Sequence, residues 1–121
     1  MSAITTHVLD TAVGCPAAGM NVRLEHVATA GSEAIATATT DSGGRISSMG
    51  PERIEPGTYQ LVFDTGGYLS RQRDNGGRDT DTGTAAFFPE VTVTFTVADG
   101  GEHYHVPLLM SPFGYSTYRG N

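Results

Sequence analysis

The stretch Val91-Thr92-Val93-Thr94-Phe95-Thr96-Val97 alternates apolar and polar residues without a break. A period of two sends successive side chains to opposite faces of an extended chain. The segment therefore reads as a strand with Val91, Val93, Phe95 and Val97 on its buried face and threonines on the other. Shorter versions of the pattern recur. Ile4 to Asp10 places Thr5, His7 and Leu9 on one face and Ile4, Thr6 and Val8 on the other. Asn21 to Val27 turns Val22 and Leu24 inward against Arg23 and Glu25. His26 follows on the Val22–Leu24 side and reads as a strand-end or interface histidine. Tyr59, Leu61 and Phe63 alternate against Thr58, Gln60 and Val62. Ile35 to Thr40, Arg45 to Ser47, the histidine-containing run up to Met110, and Tyr115 to Arg119 complete about eight short strands. Only Tyr68 to Arg73 carries a helical pattern.

Turn chemistry separates these segments. The chain holds 16 glycines, and Gly14-Cys15-Pro16, Asp41-Ser42-Gly43-Gly44, Pro56-Gly57, Asp99-Gly100-Gly101 and Ser111-Pro112-Phe113-Gly114 all fall between strand patterns. Pro107 cannot donate to a ladder, so its strand has an edge or a bulge there. Asp74 to Thr84 is polar and glycine-rich and reads as a loop. Many short strands joined by tight turns imply an all-β sandwich or barrel. At 121 residues the chain, 1–121, is expected to be one domain.

Composition narrows the function. All seven basic residues are arginines, set against thirteen acids for a formal charge of −6. That balance argues against a nucleic-acid partner, which needs a basic surface. No stretch approaches about 18 apolar residues, so no membrane span is expected. A charged n-region followed by an apolar h-region is not evident, so no signal peptide is expected either. Cys15 is the only cysteine. It forms no intrachain disulfide, and no base stands beside it in the sequence to make it a nucleophile. A cytoplasmic location fits these features.

The C-terminal stretch departs from the solvated character of most tails. His103-Tyr104-His105-Val106-Pro107-Leu108-Leu109 is followed, after a turn, by Tyr118-Arg119-Gly120-Asn121. On a strand His103 and His105 share one face. A bare pair of this kind also satisfies half of a zinc or copper site. The stretch resembles the C-terminal signature of 5-hydroxyisourate hydrolases, the enzymatic members of the transthyretin-like family. There the same histidine run is followed by a terminal Tyr-Arg-Gly-Ser, so Asn121 is a departure within the signature. Thr6-His7-Val8-Leu9-Asp10, Thr40-Asp41 with Gly43-Gly44-Arg45, and Phe87-Phe88-Pro89-Glu90-Val91 also match, in family order, across nearly the whole chain.

The resemblance implies a transthyretin-like β-sandwich of two four-stranded sheets with one short helix. It implies hydrolysis of 5-hydroxyisourate in urate breakdown, with no cofactor and no metal. It also implies a homotetramer whose sites lie between subunits. The positions that match the family's substrate-contacting residues are His7, Arg45, His105 and Tyr118. Ring opening of an electron-poor lactam needs a base for water, a donor for the developing oxyanion, and orientation. Histidine suits the base, and a forked guanidinium suits an anionic, urea-like ring. The expectation is that His7, Arg45 and His105 are catalytic and that His7, Arg45 and Tyr118 bind substrate. Which histidine is the base stays open. His103 lies beside the site, and Arg119 is either a site residue or half of an ion pair. The competing readings are a carrier of small aromatic ligands, as transthyretin is, and a metal-binding sandwich.

Overall fold

A computed structural model describes residues 2–74 and 86–121. Among the described residues, nine strands form two sheets. The first contains β1 (Ile4–Asp10), β2 (Cys15–Pro16), β5 (Arg45–Met49), β8 (Tyr104–Ser111) and β9 (Gly114–Thr117). The second is ordered β4 (Gly31–Thr39), β3 (Asn21–Ala28), β6 (Gly57–Phe63), β7 (Val91–Val97). The fifth strand of the first sheet is the Gly-Cys-Pro turn, which pairs for two residues with the end of β1. Setting that short extension aside leaves the expected pair of four-stranded sheets.

The two sheets bury their facing sides. Ile4, Val8, Leu108 and Met110 from the first meet Val22, Leu24, Leu61 and Phe63 from the second, all at 2 % exposure or less. Each such side chain removed from water contributes about 1.5–3 kcal/mol. Thr6 lies on this inner face too, and its hydroxyl donates to the Val106 carbonyl at 2.6 Å, so burial leaves no polar atom unmatched. Thr5, His7 and Leu9 are thereby turned to the outer face of the first sheet, where the candidate site residues gather.

Strand β1 is the hub of that sheet. One edge runs parallel to β8, pairing Ile4–Asp10 with Tyr104–Met110 in unbroken register. The other edge takes β5 and then β2, both antiparallel. Pro107 shapes the far side of β8. Strand β9 pairs with Leu108 to Ser111, the ladder skips Pro107, and pairing resumes as a single bridge from His105 to Gly120. The Thr117 hydroxyl donates to the Pro107 carbonyl at 2.6 Å across the gap. The expected edge at Pro107 is this interruption.

Helix α1 (Thr65–Asp74) begins three residues before the expected Tyr68. Gly66 and Gly67 disguise its first turn, since glycine is a poor helix former. Asp64 supplies the cap: its Oδ1 accepts from the Gly67 amide at 3.0 Å. The Tyr68 hydroxyl donates to Asp10 Oδ2 at 2.9 Å and ties the helix to the end of β1. The polar loop expected at Asp74 to Thr84 lies almost wholly outside the described residues. No helix among those described is long and apolar enough to cross a membrane.

Candidate active site

The site is built on the outer face of β1, β5 and β8. The register sets Arg45 opposite His7 on one edge of β1 and His105 opposite Thr5 on the other. Residues nearly a hundred positions apart thus become lateral neighbours a strand spacing away.

The turn between residues 41 and 45 holds Arg45. Asp41 Oδ1 accepts from the amides of Gly43 and Arg45, each at 2.9 Å, and Gly44 N donates to Asp41 O at 2.9 Å. The amide of Arg45 is the chief reason the Asp41 carboxyl lies below the usual carboxylate range. Gly44 has φ +77°, and a Cβ there would stand 2.4 Å from the Val8 carbonyl oxygen. Only glycine lets this turn lie against β1, with Val8 N donating to Gly44 O at 2.7 Å. His7 is tied to the same turn through Nε2, 3.0 Å from the Gly43 carbonyl oxygen. A carbonyl only accepts, so Nε2 carries the proton and Nδ1 of the neutral ring is left as an acceptor.

His105 is held on two sides. Its Nδ1 lies 2.8 Å from Thr5 Oγ1, and that oxygen also contacts His103 Nε2 at 2.9 Å. On the other side the tail crosses the ring: Gly120 N donates to His105 O at 2.8 Å, and a Cβ at residue 120 would meet His105 Cδ2 at 2.7 Å. The glycine of the terminal signature is a steric requirement of the imidazole beneath it. Burial first, and then the neighbouring charges of His103, His7 and Arg45, push the His105 pKa below the ordinary histidine value. The ring is therefore neutral at pH 7 and able to accept a proton.

A cleft of about 200 Å³ opens here, lined by Arg45, Ser47, His103, His105 and Asn121 among others. The residue that departs from the family signature thus lies at the cleft itself. Tyr118 does not. It is 60 % exposed and lines a separate groove of about 240 Å³ with Val93, Phe95, Tyr104 and Val106, between the edges of the two sheets. Within one chain the structure brings together His7, Arg45 and His105 and leaves Tyr118 apart.

Arg119 and His26 have structural partners. Arg119 Nη2 is 2.9 Å from Glu102 Oε1, and its guanidinium lies 4.6 Å from the Tyr104 ring centroid. His26 packs against Tyr59 with centroids 5.0 Å apart. Cys15 is exposed and free. Among the described residues no group of three or more His, Cys, Asp or Glu side chains is placed to hold a metal ion.

The profile of the HIUase/transthyretin family matches residues 4–120. The 5-hydroxyisourate hydrolase of Pseudomonas aeruginosa is 42 % identical over 123 residues, covering 100 % of this chain and 93 % of that one. The chain belongs to the HIUase/transthyretin family. Solved members share its shape. The 5-hydroxyisourate hydrolase of Klebsiella pneumoniae superposes with a TM-score of 0.79 at 33 % identity, covering all of both chains. Transthyretin from Sparus aurata gives 0.83 at 28 %, covering 99 % of this chain and 97 % of that one.

Sequence reasoning singled out Arg45 and His105 of this HIUase/transthyretin cleft, with His7 beside Arg45, and missed Thr5. Period-two alternation had already placed Thr5 on the His7 face. Its position between two histidines follows from the parallel pairing of β1 with β8, for which the chain carries no local signal.

Proposed function

We propose that this protein hydrolyses 5-hydroxyisourate, without a cofactor, in the cleft lined by Arg45 and His105, with His7 beside Arg45 on β1. The observation that carries the reading is that His105, partly buried, lines the same cleft as Arg45, in a chain 42 % identical to a 5-hydroxyisourate hydrolase. His105 takes the proton of the attacking water. General base catalysis of this kind contributes typically 10²–10⁴-fold. Arg45 holds the anionic ring and offsets the charge that develops on the carbonyl oxygen, a role whose loss costs on the order of 10²–10³-fold. His7, with Nε2 committed to Gly43, presents Nδ1 to orient water or substrate.

Tyr118 enters as a substrate-binding residue through assembly. Strands β7 and β9 end their sheets, and unpaired edges with an apolar groove between them favour association. Phe87 and Phe113 are 67 % and 71 % exposed with ring centroids 6.4 Å apart, an aromatic patch that suits a subunit interface. The reading is a homotetramer in which Tyr118 of the partner subunit completes the cleft. A cytoplasmic setting goes with it, and the exposed thiol of Cys15 suits a reducing compartment.

The test generates 5-hydroxyisourate in situ from urate with urate oxidase and follows its absorbance decay. His7→Ala, Arg45→Ala and His105→Ala are each expected to lower kcat/KM by at least about 10²-fold with the β-structure intact by circular dichroism. Unaccelerated decay with the wild-type protein, together with binding of small aromatic ligands, would assign a carrier role instead.

A further inference from the structure

Thr5 is 5 % exposed, and its hydroxyl touches both His103 Nε2 and His105 Nδ1. A hydroxyl has one proton to give and lone pairs with which to accept. It can donate to only one of the two rings, so their protonation is coupled through a single oxygen. In one arrangement His103 Nε2–H donates to Oγ1 and the hydroxyl donates to His105 Nδ1. A neutral His105 then carries its proton on Nε2 and is no base. In the other, His105 Nδ1–H donates to Oγ1 and the hydroxyl donates to His103 Nε2. That leaves His105 Nε2 bare and ready to accept.

We propose that Thr5 is a positioning residue that holds His105 in its basic tautomer and relays the proton taken from water onward to His103. This rests on His105 being the base. As the water oxygen bonds to the ring carbonyl carbon, its proton goes to His105 Nε2. The Nδ1 proton of His105 passes to Thr5 Oγ1, and the hydroxyl proton of Thr5 passes to His103 Nε2. When the ring C–N bond breaks, a proton returns by the same atoms to the leaving nitrogen, and the starting tautomers are restored.

The surroundings favour that direction of transfer. His105 is partly buried, and His103, His7 on β1 and Arg45 on β5 each add to the burial in disfavouring a second proton on it. His103 is exposed, so water solvates the charge it receives.

The experiment compares kcat and KM for the wild type, Thr5→Val, Thr5→Ser, His103→Gln and His105→Ala in the absorbance assay, with rates repeated in mixtures of light and heavy water. Valine keeps the branched shape of threonine without its hydroxyl. Thr5→Val is expected to lower kcat by roughly 10- to 100-fold with little change in KM, and Thr5→Ser to retain most of the rate. The wild-type rate should depend on deuterium fraction with the curvature of several protons in flight, and Thr5→Val should give a straight line. His103→Gln alters only the exposed end and should behave like Thr5→Val, which keeps the test decisive if the valine variant folds poorly. Unchanged kcat in Thr5→Val or His103→Gln, or equal losses in the valine and serine variants, would overturn the relay. An inactive His105→Ala beside a fully active Thr5→Val would remove the relay and leave the site standing. A fully active His105→Ala would remove His105 as base and the relay with it.

Discussion

At the scale of single residues, the proposed chemistry depends on one imidazole, that of His105, being kept neutral. The burial of His105, and after it the electrostatic influence of His103, His7 and Arg45, lower its pKa from the ordinary value of 6.5. A base works only when unprotonated, so activity must fall as pH drops through the His105 pKa and must persist above it. Because that pKa lies below 6.5, the acid limb of kcat/KM is expected to have its midpoint below pH 6.5. A pH–rate profile of kcat/KM checks this, and an acid limb above pH 7 would contradict it. Gly120 serves the same ring by sterics. Its lack of a Cβ lets the tail pass over His105, and so the terminal signature contains glycine where a larger residue would displace the imidazole.

At the scale of elements, the turn from Asp41 to Arg45 does more than reverse the chain. It offers a carbonyl to His7, fixes the backbone of Arg45, and approaches Val8 more closely than any side chain permits. Gly44→Ala would force a Cβ against the Val8 carbonyl at φ +77°. Unfavourable φ and overpacking each cost on the order of 1–3 kcal/mol. The expected outcome is a loss of about 2–6 kcal/mol in denaturant unfolding, with activity reduced further in whatever folded fraction remains, because β5 and Arg45 move together. A variant with wild-type stability would mean the turn can shift away from β1 at no cost. The same logic explains α1: Asp64 caps it and Tyr68 anchors it to Asp10, so its weak internal propensity is offset by contacts at its ends.

At the scale of the whole molecule, one chain holds a histidine–arginine cleft and, apart from it, Tyr118, which is proposed to bind the substrate. Assembly reconciles the two if each site draws its halves from different subunits. Complementation tests this. His105→Ala and Tyr118→Ala proteins, each weak alone, are denatured, mixed in equal amounts and refolded. Sites with both residues intact should form in about a quarter of cases, since each site takes its two halves independently. Recovered activity near that fraction, with light scattering showing an oligomer, is the expected result. A mixture no more active than the average of its parents would place Tyr118 outside any shared site.

Most of the strand framework was legible in the sequence, because alternation and turn residues act locally. Val91 to Val97, Tyr59 to Phe63 and Ile4 to Asp10 fall where their period-two patterns put them. His7, Arg45 and His105 stood out through family motifs, since nothing in their local sequence separates a catalytic histidine from a structural one. The helix start was hidden because two glycines mask a turn that Asp64 stabilises from outside. Three features belong to tertiary structure alone. The parallel register of β1 on β8 puts Thr5 between two histidines, the positive φ of Gly44 brings Arg45 to His7, and Tyr118 falls at the far edge of the sandwich. Each joins segments far apart in the chain, and such contacts are set by how whole sheets stack and pair, which no local pattern of residues encodes.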